Sequence, residues 1–397
     1  MSHQRALRTA PGLVAAVLLV VTGCGPAGPE PDREPHPPES SLSQVDSSTI
    51  RLPAPYENAR VVDPDWDTTP QYADGVFLAG GERDGMLEFT AVDLQGDVLW
   101  AAQRPISCAG FTLSTGADGR ALAILTDVQT TTDALADPTA TAYDLTTGEH
   151  VWGPVDLPGP HQGPGLVFAE PAEAAMGETG PRAALDPATG NLVHTEDRTT
   201  GEQIIGEYDG TLLIADQTSL IARDTATTQE LWRIPLDKHG WDPRSLGPSV
   251  QTPPADGLVL ISTSDSTGAL IDLNDGTVLN NTVHDAAIDP TTNTMVVLDE
   301  AGLHAFDARR QSLWSLTVSP RTTIAAVGGV FLYLRDGDKL RVHNVITGDV
   351  AQAYAPDGQG RITVPVDITA EGAALLEDGR GYLLATTGGR AEGRPGS

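Results

Sequence analysis

Cysteine is almost absent from this chain. Cys24 and Cys108 are its only two in 397 residues, which excludes a disulfide-stapled fold and any Cys-rich metal framework. No Cys-Cys pair and no C-x-x-C-H haem attachment occurs. Lysine is as scarce, with Lys238 and Lys339 alone. All basic residues together number 24 against 54 acids, a formal charge of −30. Such a surface repels nucleic acid and anionic lipid headgroups, so neither is expected as a partner. It suits a cation or a basic protein, and it also keeps an exported protein in solution. The longest apolar run, residues 12–21, is about ten residues, too short to span a ~30 Å hydrocarbon core. Outside it, no stretch sustains amphipathic helical spacing beyond two turns.

That apolar run belongs to a tripartite leader. Arg5 and Arg8 precede it, and Val21-Thr22-Gly23-Cys24 closes it. The last four residues resemble a bacterial lipobox. The resemblance implies cleavage before Cys24, two acyl chains on its thiol, and a membrane anchor on the extracytoplasmic face of the cell membrane. Residues 1–23 therefore read as a signal peptide. Residues 24–48 are rich in Pro, Gly, Ser and acids and cannot bury enough surface to order themselves. They read as a disordered tether that reaches about 70 Å when extended. Cys108 follows Ile106 and precedes Ala109 and Phe111, the setting of a buried small hydrophobe.

One phrase then recurs seven times: an acid or amide, a polar turn, and a large residue seven or eight positions on. It reads Asp93/Gly96/Trp100, Asp144/Gly148/Trp152, Asp186/Gly190/His194 and Asp224/Thr228/Trp232. It continues as Asp272/Gly276/Asn280, Asp307/Gln311/Trp314 and Asn344/Gly348/Gln352. Four of the six tryptophans occupy one slot, so the phrase is a repeat. Its spacings of 51, 42, 38, 48, 35 and 37 residues match four short strands per unit. Between phrases lie short apolar runs such as Val76–Ala79, Leu258–Ile261 and Val330–Leu334, typical of strands buried on both faces. The Asp is expected to accept hydrogen bonds from turn amides. The Gly supplies positive φ, and the Trp fills the wedge between neighbouring units.

The phrase Tyr143-Asp-Leu-Thr-Thr-Gly-Glu-His-Val-Trp152 resembles the repeat of the quinoprotein alcohol dehydrogenase-like (PQQ-like) β-propellers. The resemblance implies an all-β propeller of four-stranded antiparallel blades over residues 49–388, with 389–397 a disordered tail. Seven phrases, three further C-terminal strands and a spare strand at Thr49–Pro53 add up to eight blades, with seven the alternative.

The family includes quinone-dependent dehydrogenases, which demand a metal-held quinone, cationic side chains and often a vicinal disulfide. None of these is legible here, so neither PQQ nor another cofactor is expected, and no catalytic or metal residue is assigned. The histidines show no H-x-H or H-x-x-x-H spacing, and no G-x-S-x-G or P-loop occurs. Asp63-Pro64-Asp65-Trp66-Asp67 is the one acidic cluster able to offer clustered oxygens to calcium. Asp336-Gly337-Asp338 reads as a hairpin turn. The irregular stretches Gln129–Thr139 and Glu170–Gly180 are the expected binding loops. The sequence thus describes a monomeric, lipid-anchored propeller that binds a protein or cationic partner. A quinone-dependent enzyme and an envelope-assembly factor are the alternatives.

Overall fold

The computed structural model describes residues 30–106, 110–116, 118–129, 137–171, 179–197, 199–249, 257–264 and 267–389. The chain divides between Pro31 and Asp32, and the unit beginning at Asp32 carries the fold. The leader, Cys24, Cys108 and the tail after Gly389 lie outside the described residues. So do most of the 129–139 and 170–180 stretches.

Antiparallel sheets succeed one another along the chain. Sheet I holds Gln71–Ala73, Val76–Arg83, Met86–Asp93 and Val98–Pro105. Sheet II holds Phe111–Thr115, Ala121–Gln129, Asp137–Asp144 and His150–Asp156. Sheet III has three strands, Val167–Pro171, Thr179–Leu185 and Leu192–Thr195, and sheet IV has four between Gln203 and Pro235. Sheet V runs through seven strands from Gly247 to Leu316 because one long strand, Val278–Ile288, serves two meanders. It pairs with Gly268–Asp272 through Val278, Asn280 and Val283, and with Met295–Asp299 from Val283 onward. Sheet VI holds Thr322–Gly328, Phe331–Asp336 and Lys339–Asn344. No α-helix occurs among the described residues, only 3-10 turns at Ala54–Tyr56 and Leu236–Lys238. The protein is an all-β propeller.

Sheet VII joins the two ends of the chain. Val364–Ile368, Ala374–Glu377 and Tyr382–Gly389 come from the C-terminal side, and Ala59–Trp66 pairs antiparallel with the last of them. The expected closing strand, Thr49–Pro53, does not take this place; its Ile50–Arg51 pairs in parallel with Arg361–Ile362. Asp63-Pro64-Asp65, part of the candidate calcium cluster, lies within the closing strand. A register shift between Val62 and Trp66, with Asp65 at φ +60°, turns both carboxylates outward and leaves Pro64 and Trp66 buried.

The central strands of the sheets are apolar on both faces because each face meets a neighbour. Leu78, Phe89 and Trp100 of sheet I pack on Ala123, Leu125 and Tyr143 of sheet II. Leu122 and Ile124 meet Leu166 and Phe168 of sheet III, whose Val167 meets Ile204 and Ile214 of sheet IV. Further clusters link IV to V, the two halves of V, V to VI, and VI to VII. Val62, Leu375 and Leu384 of sheet VII meet Phe77 and Val92 of sheet I. The circuit of contacts closes.

The repeat phrase builds the outer turn in sheets I to VI. Asp144 Oδ1 accepts from the amides of Thr146 and Thr147 at 3.0 and 2.8 Å. Asp93, Asp186, Asp224, Asp272, Asp307 and Asn344 each accept from their own turn amides in the same way. The tryptophans reach forward into the next unit. Trp100, Trp152, Trp232 and Trp314 donate their indole N–H to the carbonyls of Leu145, Pro187, Leu273 and Val345 at 2.6–2.8 Å. Each ring abuts the turn glycine there, so a Cβ on Gly148, Gly190, Gly276 or Gly348 would approach it to 3.0, 2.6, 2.7 or 2.8 Å. Where the preceding unit has His194 or Asn280 in place of Trp, the left-handed position holds Thr228 (φ +60°) or Arg310 (φ +61°). Gln311, which aligns with the glycines by eye, is not that residue: the Asp307 turn is one residue shorter. Gly190→Ala adds a methyl at φ +71° against the Trp152 ring. It is expected to cost about 2–4 kcal/mol, read as a shift of the urea midpoint.

Residues 32–45, read from composition as a disordered tether, lie along the outer edges of sheets I and VII. His36 and Ala101 exchange backbone hydrogen bonds at 2.9 and 3.0 Å, and Gln103 N–H donates to Asp32 O at 2.7 Å. Ser43–Gln44 pairs with Val62 and Asp63, and Leu42 packs on the cluster between sheets VII and I. Side chains fasten this strap. Arg33 Nε donates to Asp127 Oδ2 at 2.6 Å, and buried Arg104 donates to the Arg33 carbonyl at 2.6 Å and lies 3.6 Å from Asp127. Composition missed the strap because main-chain pairing to an open sheet edge needs little apolar surface.

Candidate functional site

Sheet III is short of its inner strand. Where its neighbours have an inner strand, it has the segment Gly159-Pro160-His161-Gln162-Gly163-Pro164-Gly165. Two prolines remove ladder donors, and Gly163 and Gly165 adopt φ +155° and +66°. Only a bridge from His161 to Phe168 and the bonds Gln162 N to Val167 O and Ala169 N to Pro160 O remain. The missing strand leaves a cavity of about 570 Å³, lined by Gln162, Gly163, Gly180, Arg182, Glu202 and Gln203 among others.

Its charged groups are held from behind. Glu196, with a side chain 7% exposed, accepts Arg182 Nε at 2.8 Å, Arg182 N at 2.9 Å and Ile204 N at 2.7 Å. His194 Nε2 lies 2.7 Å from Glu202 Oε1. Gln203 donates its amide to Pro243 O and Leu246 O. Among the described residues the lining offers a guanidinium, carboxylates and amides. The Glu170–Gly180 stretch flanks this unit, although its residues 172–178 lie outside the described set.

Beside the cavity, Glu207 on the inner strand of sheet IV is 1% exposed. Its Oε1 accepts Gly210 N at 2.7 Å, its own N–H donates to Pro164 O at 3.0 Å, and Oε2 has no partner. Burial pushes its carboxyl up to about 7, with the Asp209 and Asp186 charges adding to the rise and the Gly210 amide opposing it. Burial likewise raises Asp285 to about 6, against the Ile324 amide. Because the folded value of Glu207 exceeds its ordinary 4.5, ionising it destabilises the fold. The penalty is absent below about pH 4.5 and complete above about pH 7. Glu207→Gln is expected to stabilise the protein on the order of 1–3 kcal/mol at pH 8 and little at pH 4.5. Paired urea melts at the two pH values read the difference.

The remaining sequence candidates are dispersed. Asp63 Oδ1 accepts the Asp65 amide, and Asp67 Oδ2 accepts Glu82 N on sheet I, so the acidic cluster serves its own bulge. Among the described residues no three His, Cys, Asp or Glu side chains are placed to hold a metal ion. His150, His161 and His343 meet the carbonyls of Gly153, Gly165 and Gly348, while His304 lies between Ser315 and Asp299. Asp336 and Lys339 close the two-residue hairpin through Gly337 (φ +63°) and Asp338. No helix among the described residues is long and apolar enough to cross a membrane.

Two solved structures similar to this chain share little sequence with it. The C-terminal WD40 domain of Sif2 matches at 9% identity and a TM-score of 0.42, covering 90% of this chain and 99% of that one. A eukaryotic initiation factor matches at 11% and 0.41, covering 82% and 93%. No curated protein matches the sequence significantly. The family model described as outer membrane protein assembly factor BamB, built on the PQQ-type repeat, matches residues 139–389. That span is well over half of the chain, and the protein belongs to this PQQ-repeat propeller family.

Proposed function

We propose that the protein is a non-catalytic, lipid-anchored propeller acting as a binding scaffold on the extracytoplasmic face of the membrane. The observation that carries this is how the repeat residues are used. Every Asp, Gly and Trp of the phrase is engaged in a turn or an inter-unit contact, leaving loops and rim for partners. Dividing sheet V at Val283 gives eight blades, the last built from both chain ends. The family description, an outer-membrane assembly factor, favours an envelope protein as partner.

Crosslinking and pull-down of the anchored full chain tests the scaffold reading. A specific envelope protein should be recovered. A quinone absorbance change on adding PQQ and calcium would replace the scaffold by an enzyme. Cys24→Ala should release the protein from membranes, and unchanged fractionation would remove the anchor.

A further inference from the structure

The cavity of sheet III invites a ligand of its own, beyond the scaffold reading. Glu196 takes Arg182 by Nε and backbone N, which fixes the guanidinium plane. Among the described residues neither terminal nitrogen of Arg182 has an acceptor. Glu202 Oε1 lies 2.7 Å from His194 Nε2, but the two atoms are not aligned for a hydrogen bond, and no donor among the described residues reaches the other Glu202 oxygen. Both side chains line one cavity of about 570 Å³, within the usual range for small-molecule sites. Gly163, Gly180 and Gly201 line it as well. A guanidinium edge is the natural partner of a carboxylate, and a free carboxylate oxygen suits an ammonium.

Long-range charge decides between an anion and a zwitterion. The net charge of −30 repels a simple anion from the mouth of the cavity, whereas a molecule with no net charge meets no such barrier. We propose that the cavity binds a small zwitterion, its carboxylate on Arg182 and its ammonium on Glu202.

Calorimetric titration of the full chain tests this with glycine, β-alanine, 4-aminobutyrate and 6-aminohexanoate. Acetate and methylamine serve as single-charge controls. At least one amino acid should bind one site about tenfold or more tighter than either control. Glu202→Gln should bring that ligand close to acetate, and Arg182→Gln should abolish binding. Because Arg182→Gln strips buried Glu196 of its partner, Arg182→Lys is the companion variant. It keeps the charge, loses the two-pronged edge, and should weaken the same ligand about tenfold. Zwitterions binding no tighter than acetate would overturn the proposal. So would a preference that survives Glu202→Gln, or no heat from any probe up to about 10 mM.

Discussion

Trp100→Ala is expected to lower the unfolding free energy by about 3–5 kcal/mol, the cost of removing a fully packed aromatic ring from a core. Trp100 is 2% exposed, so the transfer loss is nearly complete. Its ring covers Gly148 of the next unit, and its N–H satisfies the Leu145 carbonyl at 2.8 Å. Truncation thus opens a void at the junction of sheets I and II and orphans a carbonyl in the same step. The measurement is the urea midpoint at unchanged m value. His194→Ala, in the same slot of sheet III but with no indole to lose, serves as the control. A double mutant sharpens the mechanism. Gly190→Ala should lose most of its cost when Trp152 is also Ala, leaving only about 1 kcal/mol of left-handed backbone strain. Additive costs would mean that ring and glycine do not meet as described.

The second large effect is expected at Asp127. Its carboxylate takes Arg33 Nε at 2.6 Å and lies 3.6 Å from Arg104 Nε. The Arg104 side chain is only 2% exposed, against 37% for Arg33. Asp127→Ala leaves a buried guanidinium with no carboxylate beside it, a change that costs about 3–5 kcal/mol in comparable pairs. Arg33→Ala removes the exposed member alone and should cost no more than about 1 kcal/mol. Asp127→Ala should also speed proteolytic cleavage near residues 32–36, because strap and Arg104 share the one carboxylate. Equal costs for the two variants would show that Arg104 does not depend on Asp127.

The propeller was legible in the sequence because its repeat depends on residues with strong local preferences. Asp at a turn, a left-handed glycine and a wedge-filling Trp announce themselves at fixed spacing. The link between a Trp in one unit and a Gly in the next was also present in the sequence. Trp100, Trp152, Trp232 and Trp314 precede units with Gly148, Gly190, Gly276 and Gly348, whereas His194 and Asn280 precede Thr228 and Arg310. Reading it required knowing that the ring reaches forward. The closing strand escaped because a bulge lets Asp63-Pro64-Asp65 sit in a ladder that local rules exclude. The strap escaped because edge pairing is a property of the folded sheet. The cavity escaped for a related reason. Its glycines and prolines mark an interruption, but that Arg182 and Glu202 border the same space depends on the stacking of sheets III and IV.

The long strand Val278–Ile288 sets a limit on how this ring can diversify. Elsewhere the chain passes from one unit to the next through a connection such as 196–202, 236–246 or 351–363. Such connections can lengthen at small entropic cost. At Val283 there is no connection to lengthen, since an inserted residue would break a ladder on both sides. That junction stays without a loop, and any new one must grow at the turns on either side of the strand.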